Sequence, residues 1–204
     1  MDLKSRIQQV LTHRITRRLS TEGLTASAVL IPIFEREGEY YILLTKRTQM
    51  VQRHKGQPCF PGGVYHNEDA SLTDTALRET WEEIGLRPED VELLGEFDEI
   101  QTPTTLFHIK PFVGMIPYPY PFNINHAEVE ELIEVPISAL RDSQNYWEET
   151  QTYVGHEFPV SHFKYGDHVI WGATARILKD FLDLMFEDVE PGSPIPPIFR
   201  YKTD

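Results

Sequence analysis

GGVYHNEDASLTDTALRETWEEIGL, residues 62–86, is the stretch on which the reading of the whole chain turns. Its centre, Arg78-Glu79-Thr80-Trp81-Glu82-Glu83, presents carboxylates at i, i+3 and i+4, which a helix gathers on one face. Local signals specify that helix. Ser71 stands three residues before Asp74, the spacing of a capping box. Leu72, Ala76, Thr80 and Ile84 form a mostly apolar stripe with Leu77 beside it, and Gly85 followed by Pro88 marks the end. One face is expected to pack, and the other to carry Glu79, Glu82 and Glu83.

Like charges one turn apart cost a helix about 0.2–0.5 kcal/mol per pair, so the cluster calls for a compensating charge. Arg78, four residues before Glu82, supplies part of it. A hard divalent cation supplies more, because Mg2+ favours a few carboxylate oxygens together with water and phosphate. Upstream, Phe60-Pro61-Gly62-Gly63 reads as an abrupt turn from a strand into this region, and paired glycines let backbone approach a ligand closely.

These residues resemble the Nudix box, G-x5-E-x7-R-E-U-x-E-E-x-G-U, where U is bulky and apolar. Gly63, Arg78, Glu79, Glu82, Glu83, Gly85 and Leu86 match it. The first acidic position falls on Asp69, separated from Arg78 by eight residues rather than seven, and Thr80 is less apolar than the pattern asks. Both the Asp and the extra residue resemble the coenzyme A pyrophosphatase branch of Nudix hydrolases. So does LLTKRTQMVQRHKGQPCFPGG, in which Leu43, Leu44, Thr45, Arg47, Gly56 and Phe60 through Gly63 match that branch's upstream motif. Gln52, with Arg53 one residue later, and Pro58 depart from it. Ile170-Trp171-Gly172-Ala173-Thr174-Ala175 resembles the branch's I-W-G-x-T-A signature and is read as architectural, with Trp171 in the core and Gly172 closely packed.

The resemblance implies an α/β fold, an α/β/α sandwich around a central mixed β-sheet. It implies a hydrolase acting on a phosphoanhydride bond with Mg2+ or Mn2+, cleaving coenzyme A or its derivatives to 3′,5′-ADP and (acyl-)4′-phosphopantetheine. Glu79 and Glu83 would hold the cation. Glu82 would hold it through water or accept a proton, and Arg78 would orient the carboxylates. The loop basic residues Arg47, Arg53 and Lys55, with Gly63, would meet the substrate. Glu128, in NHAEVEELIEVPISAL, is the candidate loop acid that assists the metal or activates water. The box reads the pyrophosphate and not its substituents, so ADP-ribose, a dinucleotide or a nucleotide sugar stays open as substrate. A non-catalytic nucleotide-sensing module stays open as well.

The rest of the chain frames this reading. With 204 residues, 40% hydrophobic and 25% charged, it is read as one Nudix domain over 1–204, with its core at about 25–185. The single Cys59 excludes an intrachain disulfide framework and suits a reducing compartment. With no secretory pattern and no membrane-length apolar run, the expectation is cytoplasmic. A net charge of −13 argues against nonspecific nucleic-acid binding, though not against a phosphorylated small molecule, since a metal ion reverses the local sign. A homodimer is common in the family.

Further expectations follow from patterning. Residues 3–19 read as a basic amphipathic helix, and 25–35 and 39–46 as two strands around a turn. Residues 91–100 and 105–116 read as further strands, and the aromatics of 118–122 as loop packing or a stacking surface near the site. Residues 146–163 read as a hairpin about Gly155, 168–186 as the terminal helix, and the Pro-rich stretch from Pro191 to Pro197 as a wrap or loose end.

Overall fold

The computed structural model describes residues 2–16, 18–19, 23–50, 55–102, 106–153 and 156–186. A helix α1 (Leu3–Thr12) precedes strands β1 (Thr25–Arg36) and β2 (Glu39–Arg47). Two short strands follow, β3 (Pro58–Cys59) and β4 (Gly62–Val64), and then helix α2 (Leu72–Ile84). Strands β5 (Glu92–Glu96), β6 (Ile100–Gln101), β7 (Phe107–Met115) and β8 (Val129–Pro136) complete the main sheet, and α3 (Ile137–Arg141) leaves it. A three-stranded sheet of β9 (Tyr146–Tyr153), β10 (His156–Tyr165) and β11 (His168–Trp171) leads into α4 (Gly172–Phe186).

The eight-stranded sheet is mixed, since β1 runs parallel to β7 and its other pairings are antiparallel. β1 is buried on both faces along most of its length, as a central strand requires. Alternate residues of β1 and β2 feed two cores. Leu30, Phe34, Tyr41 and Leu43 pack with Ala76 and Ile84 of α2. Ile31, Ile33, Ile42 and Leu44 pack with Leu3, Ile7 and Leu11 of α1 and Leu178, Phe181 and Met185 of α4. Helices thus cover both faces, and the expected α/β/α sandwich is the observed one.

The register of β1 and β2 creates the site. They pair from Ile33↔Ile42 to Arg36↔Glu39, and beyond that they splay. β4 fills the gap on the β1 side, with Ala28 opposite Gly63 and Val29 opposite Gly62. β3 fills it on the β2 side, with Thr45 opposite Cys59 and Lys46 opposite Pro58. The Phe60-Pro61 turn joins the two, and Pro61 accepts a backbone hydrogen bond from Leu30 at 3.0 Å. The strand-to-helix turn read from the sequence is therefore a wedge driven between two long strands.

Several sequence expectations need correction. The first helix ends at Thr12 rather than at residue 19, and Ile15 is exposed. Arg14 leaves the helical path to pair with buried Asp98 and to lie over the Phe97 ring at 5.4 Å, a tertiary interaction that outweighs the helical stripe. The strand expected over 91–100 is broken between β5 and β6, where the Asp98 and Glu99 carboxylates take Arg14 and the Leu19 amide as partners. The terminal helix begins at Gly172, not at residue 168, because His168–Trp171 pairs with β10.

That last correction reverses the reading of Trp171 and Gly172. Ile170 points into the core, so strand alternation turns Val169 and Trp171 outward; Trp171 is 40% exposed. Gly172 has φ +68 and open space where a Cβ would stand, so its role is the left-handed backbone that turns strand into helix, not close packing. The loop aromatics resolve in favour of packing: Tyr118 stacks on Phe34 at 4.7 Å, and the Tyr120 hydroxyl donates to Asp90 at 2.8 Å. Gly155 and the Pro-rich stretch lie outside the described residues. Among the described residues, no helix is long and apolar enough to cross a membrane.

Candidate active site

Helix α2 forms as its sequence dictates. The Ser71 side chain caps it by accepting from the Asp74 amide at 3.2 Å, and Gly85 closes it in the left-handed conformation with its N–H on the Trp81 carbonyl. Ala76, Thr80 and Ile84 are buried against the sheet. The acidic face then turns toward the β3–β4 wedge and the loop before β8.

The three glutamates of that face meet different surroundings. The Glu79 carboxylate lies against Gly63, where a Cβ would come within 2.3 Å of it. Glycine at this position is therefore space reserved for a carboxylate. Glu82 is the outermost, with a side chain 46% exposed. Glu83 is 2% exposed, and its Oε2 is buried with no hydrogen-bond partner. Its other oxygen is 3.5 Å from Arg47 Nη1. Burial above all pushes the Glu83 carboxyl up to about 8, and the negative charges of Glu79 and Glu128 add to the rise while Arg47 opposes it. Burial also raises Glu79, with Arg78 opposing.

Arg78 ties the site together. Its Nε and Nη2 donate to Asp69 Oδ1 and Oδ2 at 2.7 and 3.0 Å, a two-pronged pair. Its Nη1 reaches Glu79 at 2.8 Å and Glu82 at 3.3 Å, and Nη2 also reaches the Val64 carbonyl at 3.2 Å. Asp69 accepts further from the Thr75 hydroxyl at 2.8 Å and the His66 amide at 3.0 Å. The guanidinium and these donors hold the Asp69 carboxyl well below the usual carboxylate range. Asp69 thus anchors the arginine that positions Glu79 and Glu82.

The loop before β8 closes the other side. The Asn125 amide donates to the Glu83 carbonyl at 2.9 Å and the Asn123 amide to the Ile84 carbonyl at 3.0 Å, so the loop is pinned to the end of α2. Asn125 also donates from its side chain to Glu128 at 3.3 Å, and Thr48 donates its amide to the Glu128 carbonyl at 2.8 Å. Asn123, Asn125 and Thr75 were not among the residues singled out from the sequence. A short Asn-containing segment between strands signals side-chain-to-backbone turns, but not which helix end it will grip.

The sequence-predicted residues therefore divide. Asp69, Arg78, Glu79 and Glu82 form one hydrogen-bonded group, and Arg47, Glu83 and Glu128 are brought together beside it. Lys55 is exposed on the turn before β3 and forms no ion pair with these carboxylates. Arg53 lies outside the described residues.

The donor set suits a hard divalent cation, because every candidate ligand is a carboxylate oxygen. Among the described residues, no three acidic, histidine or cysteine groups already converge around one point. The fit rests instead on the buried, unpartnered Glu83 Oε2 and on the Gly63 cradle beside Glu79. An orphaned carboxylate oxygen is costly to bury, and a cation would satisfy it.

A NUDIX domain model matches residues 24–148, which takes in the splayed strands, the wedge, α2 and the loop. The chain belongs to the Nudix family. It is 39% identical over 155 residues to "Uncharacterized Nudix hydrolase NudL" of Enterobacter sp. (strain 638), covering 76% of this chain and 79% of that one. A protein of the same name from Cronobacter sakazakii (strain ATCC BAA-894) is 34% identical over 172 residues, covering 84% and 88%. Among solved structures, a Caenorhabditis elegans Ap4A hydrolase binary complex shows a TM-score of 0.47 at 16% identity, covering 56% of this chain and 82% of that chain. The NUDIX domain of Shewanella oneidensis NrtR complexed with ADP ribose shows 0.45 at 18%, covering 58% and 76%. Both structural likenesses concern the fold alone.

Proposed function

We propose that this protein is a divalent-metal-dependent pyrophosphohydrolase, and that coenzyme A or its acyl derivatives are its preferred substrates. One observation carries the metal-dependent part: a fully buried glutamate, Glu83, keeps an unpartnered carboxylate oxygen beside Arg47 and Glu128. Glu79 and Glu83 would hold Mg2+ or Mn2+ directly, with Glu82 at the outer side. The cation, when bound, supplies positive charge against the phosphate oxygens and makes an attacking water more acidic.

The chain's own residues do the rest. Arg78, fixed by Asp69, keeps Glu79 and Glu82 in place as the charge at the site changes. Arg47, 3.5 Å from Glu83, would pass from it to a substrate phosphate, with Arg53 and Lys55, close by in sequence, as further phosphate partners. Glu128 would take the proton of the attacking water, whose oxygen bonds to phosphorus as the P–O–P bridge breaks and the leaving phosphate takes the bridging oxygen. We read residues 1–204 as one such domain. The preference for coenzyme A is supported by the resemblances at Leu43–Gly63 and Ile170–Ala175.

The test is a substrate panel of coenzyme A, acyl-coenzyme A, NADH and ADP-ribose with Mg2+ and with Mn2+, the products being identified by mass. The expected result is fastest conversion of coenzyme A or its thioester to 3′,5′-ADP and the matching phosphopantetheine. A strong preference for ADP-ribose would overturn the substrate, and binding without turnover under both metals would overturn the activity.

A further inference from the structure

The end of α2 and the start of β8 are tied together through one residue, Asn125. A helix leaves its last carbonyls without donors of its own. Here the Asn125 amide reaches the Glu83 carbonyl at 2.9 Å, and the Asn123 amide reaches that of Ile84 at 3.0 Å. The Asn125 carbonyl in turn accepts from the Glu128 and Val129 amides at 3.0 and 2.9 Å. Its backbone thus links the helix that bears Glu83 to the loop acid Glu128. Gly85 leaves room for this loop, since a Cβ there would stand 2.8 Å from the Asn123 Cβ and 2.9 Å from its nitrogen.

These backbone links need no particular side chain at 125, and the side chain adds something else. Its Oδ1 accepts from the Ala127 amide at 3.1 Å, which fixes the end of the group that faces the loop acid. Nδ2 then donates to Glu128 Oε1 at 3.3 Å. From the other side, Thr48 donates its amide to the Glu128 carbonyl at 2.8 Å and its hydroxyl to the Ala127 carbonyl at 3.1 Å. Thr48 directly follows Arg47, which meets Glu83 at 3.5 Å. The Glu83 and Glu128 charges oppose each other. Like charges drive two side chains apart unless donors hold them, and Asn125 supplies such a donor.

The geometry points to Asn125 as a positioning residue for hydrolysis: its side-chain amide keeps the Glu128 carboxylate in place beside Glu83, so that proton acceptor and metal-holding glutamate move as one unit. This rests on the function proposed above, in which Glu128 takes the proton of the attacking water. Asparagine suits the place because its acceptor serves Ala127 while its donor serves Glu128. Aspartate would keep the acceptor and replace the donor with a second oxygen.

The test compares Asn125→Asp and Asn125→Ala with the wild type, each alone and combined with Glu128→Gln. The substrate is whichever compound of the panel above the wild type converts fastest. Asn125→Asp retains the turn acceptor, so its melting temperature is expected to stay close to that of the wild type. Its kcat is expected to fall about tenfold with KM within about twofold, as part of the roughly 10²–10⁴-fold from general-base catalysis is lost. Asn125→Ala, which also loses the turn acceptor, is expected to fall at least as far. In the Glu128→Gln background, Asn125→Asp should cost less than about twofold, because the group it acts through is gone. Apart from turnover, the side-chain amide resonances of Asn125 should move when Glu128→Gln is introduced.

An undiminished kcat for Asn125→Asp, a loss confined to KM, a full further loss in the double variant or unmoved Asn125 resonances would each overturn the positioning role and leave the hydrolase standing. A Glu128→Gln variant with undiminished kcat would remove the proton acceptor, and the positioning role with it. A wild type that shows the resonance shift but converts no panel compound under either metal would sink the proposed function itself.

Discussion

Asp69 and Glu83 are both buried acids beside the same helix, 8% and 2% exposed, and their surroundings treat them in opposite ways. Asp69 accepts from Arg78 twice, from Thr75 and from the His66 amide, and its carboxyl is held far toward the ionised form. Glu83 has one distant guanidinium, the Gly62 amide and an oxygen without a hydrogen-bond partner, and burial pushes its carboxyl toward the neutral form. A carboxylate supplied with donors stabilises the structure around it. One denied them costs stability in the free protein and is set up to gain from a cation that arrives later. The contrast is between a carboxylate that the fold satisfies and one that it leaves open.

The largest expected effect is on turnover. Glu83→Gln should lower kcat by at least about a hundredfold with saturating Mg2+ while leaving the melting temperature at or above that of the wild type. The measurement is steady-state hydrolysis alongside thermal unfolding in metal-free buffer; near wild-type turnover would refute the metal assignment. Asp69→Asn should act on stability as well. Removing a bidentate partner from a mostly buried arginine should cost about 2–3 kcal/mol in urea unfolding, less than for a fully buried pair because the Arg78 side chain is 23% exposed. If Glu83→Gln destabilised the protein as much as Asp69→Asn, the contrast would fail.

A smaller effect concerns acid. The Asp69 carboxyl is depressed in the folded state, so its contribution is present above the unfolded value near pH 4 and is lost as pH falls toward the folded one. Between pH 5 and about pH 2.5, the wild type should therefore lose about 1–2 kcal/mol more stability than Asp69→Asn. Urea midpoints for both proteins across that range provide the check, and parallel curves would mean that Arg78 does not stabilise the ionised Asp69.

Legibility followed the range of the interactions. α2 was readable nearly to the residue, because Ser71, Asp74 and Gly85 act within a turn of their own position. The two long strands and the hairpin were readable for similar reasons. The end of α1 was not, since the stripe through Ile15 and Leu19 continues in sequence while Arg14 answers to Asp98, far along the chain. Ile170-Trp171-Gly172 carries a helical pattern that strand pairing with β10 overrides. In the carboxylate cluster, the shared helix face of Glu79, Glu82 and Glu83 was readable but their unequal burial was not. Nothing in Glu82-Glu83 tells that one faces water and the other is sealed, because that depends on the wedge, Arg47 and the loop at Asn125.

The splay between β1 and β2 carries a consequence for how the molecule breathes. β3 and β4 are two and three residues long and lean on different partners, so this ribbon can lift away without unzipping the long ladders on either side. Amide hydrogens of Cys59 and Gly63 should then exchange with solvent well ahead of those of Ile33 and Ile42, and a divalent cation should slow them first. The active site would be the protein's softest seam, closed by the ligand it serves.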